Sequence, residues 1–180
     1  MLPLRTERLT VRALERRDIT RFTRYRNLPE ISRYQDWELP YTRDLAHALI
    51  DEQDGVTGPV PGRWVQLAVD DGSGIVGDLA VWLSADGYTA MIGYTLAPEA
   101  QGRGYATEAS RALLTELFAR RGVHRVAATM DPANVASARV LERLGFRYEG
   151  RSVSAALVRG RWEDDDRWAI LAGEFRRPRR

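Results

Sequence analysis

The sequence predicts an α/β (α+β) fold with a mixed, mostly antiparallel sheet and flanking helices, and three observations predict it. Segments in which apolar and polar residues alternate, as on half-buried strands, are interleaved with segments whose apolar residues recur at helical spacing. Short turns rich in Gly and Asp divide three consecutive strand segments, which favours an antiparallel meander. A helix-length segment lies between Leu96 and His124, and such a crossover brings the strands it joins together in parallel.

In chain order, residues 8–14 alternate apolar and polar side chains and read as a strand. Asp18 suits the N-cap of a short helix carrying Ile19, Phe22 and Tyr25, because its carboxylate can accept from an unpaired first-turn amide. A loop over residues 34–41 leads to Thr42, a second N-cap, after which Leu45, Ala46, Leu49 and Ile50 share a helical face. Residues 54–62 are rich in turn formers. The meander strands are residues 64–69, 75–83 and 88–96, divided by turns at 70–74 and 84–87. Over residues 105–121, Ala109, Leu113, Leu114, Leu117 and Phe118 line one side of a helix that Gly122 ends. Residues 124–130 read as a strand and 135–144 as a helix stopped by Gly145. Residues 146–158 and 166–172 are the last strands.

Composition narrows the function classes. Of 180 residues, 44% are hydrophobic and 29% charged, which suits one soluble domain with a sizeable core over residues 1–180. No apolar run reaches the roughly 20 residues that span a bilayer, and residues 1–8 carry an acid and arginines where a secretory signal is apolar. Without cysteine there is no disulfide, thiolate metal site or cysteine nucleophile. Two histidines, His47 and His124, are too few for a histidine-rich metal site. A cytoplasmic protein that uses no metal is the expectation. All 27 basic residues are arginine, yet net charge is only +2, so nucleic acid and membranes are not expected partners. Residues 172–180 read as a frayed basic tail.

Residues 93–109 carry the chemistry. A strand ends at Leu96, Gly102 and Gly104 follow, and a helix starts at Tyr105. The first-turn amides of such a helix lack intrahelical partners and lie at the positive end of its dipole. Glycines in front of them let the backbone close on a ligand, which makes a candidate phosphate cradle with the charge of Arg103 beside it. There is no lysine for a P-loop, and the spacing is not Gly-x-Gly-x-x-Gly. Taken alone, the segment reads equally well as a tight turn.

Gln101-Gly102-Arg103-Gly104-Tyr105-Ala106 resembles the motif by which the GNAT N-acetyltransferase superfamily holds the pyrophosphate of acetyl-CoA. The surroundings resemble its ribosomal-protein-alanine N-acetyltransferase branch. They include Thr6-Glu7-Arg8-Leu9, Ile92-Gly93-Tyr94, Tyr105-Ala106-Thr107-Glu108-Ala109, and Asn134 with Ser137. Leu141-Glu142, Leu144-Gly145-Phe146, Glu149-Gly150 and Gly160 with Trp162 and Asp164 follow in the same order. The resemblance implies a GNAT fold, in which the strand ending at Leu96 splays from its parallel neighbour and pantetheine lies in the gap. It implies acetyl-CoA as co-substrate, with backbone groups of Leu96 and Ala97 along pantetheine and at the thioester. It implies amides of Gln101, Gly102, Arg103, Gly104, Tyr105 and Ala106 on the pyrophosphate, and Asn134 and Ser137 beside pantetheine. A homodimer is the assembly the branch suggests.

Many members of the superfamily carry a tyrosine acid two residues after the position of Arg139, where this chain has Leu141. Ser137 stands one turn earlier and is the candidate to hydrogen-bond the leaving sulfur, unless it is simply a serine at a helix start. The branch often has glutamate before Ile-Gly-Tyr, whereas Met91 precedes Ile92 here, so the base is unassigned. Tyr94 either faces the cleft catalytically or fills core. Tyr34, Asp36, Trp37 and Glu38, with Trp162 and Asp164 from the late hairpin, are candidates for the acceptor site. The aromatics would equally pack the loop down, and the acids would equally be solvated. The expected reaction is direct acetyl transfer to a primary amine, a protein N-terminus or a small molecule, in a ternary complex. No cysteine, lysine or serine–histidine elbow offers a nucleophile for an acetyl-enzyme. A non-catalytic acyl-CoA-binding module is the alternative left open by Leu141 and Met91.

Overall fold

The computed structural model describes residues 2–175. Its strands are β1 (Leu4–Arg5), β2 (Thr10–Ala13), β3 (Trp64–Asp70), β4 (Ile75–Leu83), β5 (Thr89–Leu96), β6 (Arg125–Met130), β7 (Arg147–Val158) and β8 (Arg161–Leu171). Its helices are α1 (Ile19–Arg26), α2 (Pro29–Ser32), α3 (Arg43–Glu52), α4 (Tyr105–Arg120) and α5 (Val135–Leu144). The strands form one sheet in the order β1-β2-β3-β4-β5-β6-β8-β7, antiparallel throughout except for β5–β6. The mixed sheet read from the sequence is the sheet that forms. β1 and α2 escape that reading because two and four residues are too short to show a period.

The parallel pair is brief: Thr89 lies opposite Arg125, Ala90 opposite Val126 and Met91 opposite Ala127. Beyond that point each strand follows its antiparallel partner. β5 stays with β4 as far as Leu96 opposite Gly77, and β6 stays with β8 as far as Met130 opposite Asp166. The twist carried by each half pulls residues 92–96 away from residues 128–130, which leaves a V-shaped gap. Gly77 matters here. A Cβ at that position would lie 2.4 Å from the Thr95 carbonyl oxygen and 3.0 Å from Leu96 Cα, so glycine is what lets β4 run this close to the end of β5.

Two apolar clusters flank the sheet. Leu113, Leu114 and Leu117 of α4 and Leu141 of α5 pack on one face against Leu67, Leu79, Ile92 and Val126. On the other face, Ile19, Phe22 and Tyr25 of α1 and Ala46 of α3 cover Ala68 and Ile75. No helix among the described residues is long and apolar enough to cross a membrane.

Three local expectations change. Asp18 does not cap α1. Its carboxylate accepts from Arg12 Nη1 and Nη2 at 2.7 and 2.8 Å and from the Glu15 amide at 2.9 Å, a full charge outcompeting the partial charge of a helix end. Thr42, by contrast, caps α3 by accepting from the Leu45 amide at 3.2 Å. β8 begins at Arg161, well before Asp166, because pairing of Leu157 with Trp162 and Val158 with Arg161 zips the hairpin to its turn. Residues 172–175 are not frayed: Phe175 stacks 5.2 Å from Phe118, and Glu174 accepts from the Leu171 amide at 2.9 Å and pairs with Arg147. The arginine-rich residues 176–180 lie outside the described residues.

Candidate functional site

The gap leads into a space on each face of the sheet. A cleft of about 490 Å³ lies on the α4–α5 side, and a cavity of about 660 Å³ lies on the α1 side. Tyr94, Thr95, Met130 and Asp131 line both, so the two spaces meet at the splayed strand ends.

Leu96, Gln101, Gly102, Gly104, Tyr105, Ala106, Asn134 and Ser137 all line the cleft. Gly102 and Gly104 have φ of +73° and +79°, the left-handed region that glycine enters without strain, and Gly104 is the N-cap of α4. A Cβ on Gly102 would meet open space, so the approach to the α4 amides is unobstructed. Gln101 Nε2 donates to the Leu96 carbonyl at 3.2 Å, tying the turn to the end of β5. Asn134 caps α5, its Oδ1 accepting from the Ser137 amide at 3.1 Å, which leaves its NH₂ group to meet a ligand. Two of the expected cofactor residues do not line the cleft. Ala97 is 3% exposed and its amide donates to the Val76 carbonyl at 3.0 Å, and the Arg103 guanidinium lies over the Tyr105 ring at 4.7 Å. Thr107 joins instead: it lines the cleft, and its buried Oγ1 has no hydrogen-bond partner among the described residues. An orphaned hydroxyl beside open helix amides is the polar deficit that anionic oxygens satisfy.

Tyr94 bridges the gap. Its Oη is 2.8 Å from Ser137 Oγ and 2.9 Å from the Ser137 carbonyl oxygen, which links β5 to the first turn of α5. Burial pushes the Tyr94 pKa up to about 12, with the bond from Ser137 opposing it. The phenol has one proton. When that proton goes to the carbonyl, the Ser137 hydroxyl donates to Tyr94 or turns into the cleft.

Among the acceptor candidates, Tyr34, Asp36, Trp37 and Asp164 line the second cavity. Glu38 and Trp162 line neither space, and Trp162 is 64% exposed. Trp37 both walls the cavity and pins its loop, since its Nε1 donates to the Arg26 carbonyl at 3.2 Å and its ring lies 4.1 Å from the Arg26 guanidinium. Asp164 Oδ1 accepts from the Ser154 amide at 2.9 Å and so serves a bulge of the late hairpin.

The neighbouring Asp165 went unnoticed in the sequence. Burial raises its pKa, and Asp131 and Asp36 add to the shift against the opposing charge of Arg167. Strand alternation would have found it: with β8 extended back to Arg161, residues 161, 163 and 165 share the cavity side and Trp162 faces away. The cavity floor was also missed. Asp78 is 1% exposed and accepts from Arg26 Nη2 at 2.9 Å, from the Tyr25 hydroxyl and from the Gln66 amide.

With this geometry in view, the comparisons agree. Residues 8–147 match the family model described as an acetyltransferase (GNAT) domain. The chain is 28% identical over 170 residues to the uncharacterized N-acetyltransferase YnaD of Bacillus subtilis, covering 94% of this chain and 97% of that one. It is 32% identical over 77 residues to the [ribosomal protein uS5]-alanine N-acetyltransferase of Escherichia coli, 43% of this chain and 40% of that one, so the branch resemblance holds over that part. A spermidine N-acetyltransferase from Vibrio cholerae, solved in complex with CoA and spermine, matches with a TM-score of 0.79 and 25% identity over 94% of this chain and 98% of that one. These relatives set aside the non-catalytic module. The chain belongs to the GNAT acetyltransferase family and is an N-acetyltransferase.

Proposed function

We propose that this enzyme transfers the acetyl group of acetyl-CoA directly to a primary amine, either a protein N-terminal α-amine or a small-molecule amine, with both substrates bound together. The observation that carries the reading is the meeting of cleft and cavity at Tyr94 and Thr95, which would give a donor and an acceptor separate rooms with a shared doorway. On the donor side, the amides around Gly102, Gly104 and Ala106 and the Thr107 hydroxyl would take the pyrophosphate. Asn134 and Ser137 would flank pantetheine, with the Leu96 backbone beside the thioester. Tyr34, Asp36, Trp37 and Asp165 would wall the amine.

In the step itself a C–N bond forms, the C–S bond breaks, the amine gives up a proton and the thiolate leaves. An α-amine titrates near ~7.7–8, so at neutral pH a fraction is already nucleophilic. A thiol titrates near ~8.5, and Tyr94 is held near 12, so proton transfer from tyrosine to thiolate would be uphill by about 4–5 kcal/mol. Tyr94 therefore orients Ser137, and the Ser137 hydroxyl hydrogen-bonds the departing sulfur. Positioning and backbone polarisation of the carbonyl supply most of the rate.

The test is mass spectrometry of a panel of N-terminal peptides and small amines incubated with enzyme and acetyl-CoA. One class of amine should gain a single acetyl group. Initial-rate plots should intersect, and the rate should rise with pH through the pKa of the amine. Parallel plots, or an acetylated enzyme trapped on the reaction timescale, would overturn direct transfer.

A further inference from the structure

We propose that Arg8, locked onto Glu108, is a positioning residue that holds the Arg103–Gly104 peptide with its N–H toward the cleft and thereby sets affinity for CoA. The proposal rests on the reading of residues 101–106 as the phosphate cradle. Its basis is a contact that neither motif announces by itself. Thr6-Glu7-Arg8-Leu9 and the Tyr105–Glu108 stretch lie about a hundred residues apart, yet the turn between β1 and β2 sits directly on the start of α4.

The turn is itself well formed, with the Thr6 amide donating to the Leu9 carbonyl and the Leu9 amide to Thr6 Oγ1, both at 2.9 Å. From it, four donors converge on the Glu108 carboxylate. Oε1 accepts from Thr6 Oγ1 at 2.6 Å and from the Arg8 amide at 3.0 Å. Oε2 accepts from Arg8 Nε at 2.8 Å and from Nη2 at 2.5 Å. The guanidinium then reaches further. Nη1 donates to the Arg103 carbonyl oxygen at 3.0 Å, and the group lies 4.9 Å from the centre of the Tyr105 ring.

The Arg103 carbonyl is half of the peptide unit whose other half is the Gly104 N–H. In a trans peptide the two point in opposite directions. Anchoring the oxygen on Arg8 turns the N–H away from the hairpin and toward the open side of the turn. This peptide needs an anchor, because left-handed glycines stand on both sides of Arg103 and glycine backbone flips at little cost. The anchor also settles a problem of charge. Glu108 suits the positive end of the α4 dipole, but a bare carboxylate there would repel a phosphate. Arg8 neutralises it. Burial alone would raise the Glu108 pKa, and the bonds from Thr6 and Arg8 hold it below the ordinary value, so the pair persists as an ion pair at neutral pH.

The experiment is calorimetry with CoA on wild type, Arg8→Ala, Arg8→Lys, Glu108→Gln and the double variant Arg8→Ala/Glu108→Gln, with the ligand-free Tm of each. Arg8→Ala should weaken CoA binding at least tenfold, about 1.4 kcal/mol, with little change in Tm. Lysine keeps the charge without the fork and should restore affinity only in part. The double variant should bind CoA more tightly than Arg8→Ala, because the stranded carboxylate is gone. CoA affinity within twofold of wild type in Arg8→Ala overturns the brace. So does a double variant no tighter than Arg8→Ala, or a ligand-free Tm lowered by more than about 4 °C, which marks a purely structural role. If wild type itself fails to bind CoA, the cradle reading falls first and the brace falls with it.

Discussion

Replacing Asp78 with asparagine would strand a charge beneath the cavity on the α1 side, and the cost can be worked from its surroundings. The side chain keeps its shape but loses the anion facing Arg26, whose side chain is 7% exposed. Removing one partner of a buried ion pair costs about 3–5 kcal/mol, because the survivor stays in a poor solvent. Arg26 is not left bare: its guanidinium lies 4.2, 4.1 and 4.9 Å from the ring centres of Phe22, Trp37 and Tyr41. Asparagine also keeps one oxygen for Tyr25 or Gln66. The lower end, about 3 kcal/mol, is therefore expected, a large share of the roughly 5–15 kcal/mol that holds a domain together. Urea unfolding should show a lower midpoint at an unchanged slope. Adding Arg26→Met removes the stranded cation while filling its space, and should return at least about 1 kcal/mol. A loss below about 0.5 kcal/mol in the single variant, or a double variant no more stable than the single, would refute the argument.

Three further predictions address the cleft and the cavity. Gly104→Val forces a β-branched residue into a left-handed conformation at the N-cap of α4, and CoA binding by calorimetry should weaken at least tenfold, about 1.4 kcal/mol, in a folded variant. Ser137→Ala should lower kcat by a factor approaching about 10², the weak end of acid–base contributions, with CoA affinity unchanged; an unaltered kcat would reduce the serine to a structural role. Asp165 has a raised pKa in the folded chain, so its ionisation opposes folding as pH climbs through and above the unfolded value. Asp165→Asn should therefore raise Tm at pH 7 and leave it unchanged near pH 3, and a variant less stable at pH 7 would count against that environment.

While its reading as a phosphate cradle came from the resemblance, the strand–turn–helix geometry over residues 96–106 was legible because its logic is local: two glycines, a strand end and a helix start occupy neighbouring residues. The same holds for α4, α5 and the Thr42 cap, which follow from spacing and one side chain. What could not be read depends on partners that only the fold selects. Asp18 has the chemistry of a cap and of an ion pair alike, and only the fold brings Arg12 to it. Asp164 and Asp165 stand in a run of four acids, residues 163–166, whose chemistry does not alternate, so their faces can be told apart only once the strand is known to start at Arg161. Glu108 suits the positive end of the α4 dipole by its place alone, and only the fold brings Arg8 onto it. Ala97 and Arg103 were expected at the cofactor by position, yet one is buried against β4 and the side chain of the other lies on Tyr105.

The early end of the β5–β6 pairing, at Met91 and Ala127, cuts a window through the middle of the sheet. A window can be threaded. A conjugate that tethers the thiol of CoA to an amine would pass through it, with one half seated on each face, instead of lying along a single surface. Joining the halves makes the second docking event intramolecular, at an effective concentration in the millimolar range for a short flexible spacer. The shortest spacer that still inhibits would serve as a ruler for the thickness of the sheet at the window. Under the proposed function, the same partition would make the amine side an interchangeable module, open to redesign for a new acceptor while the nucleotide side is left as it stands.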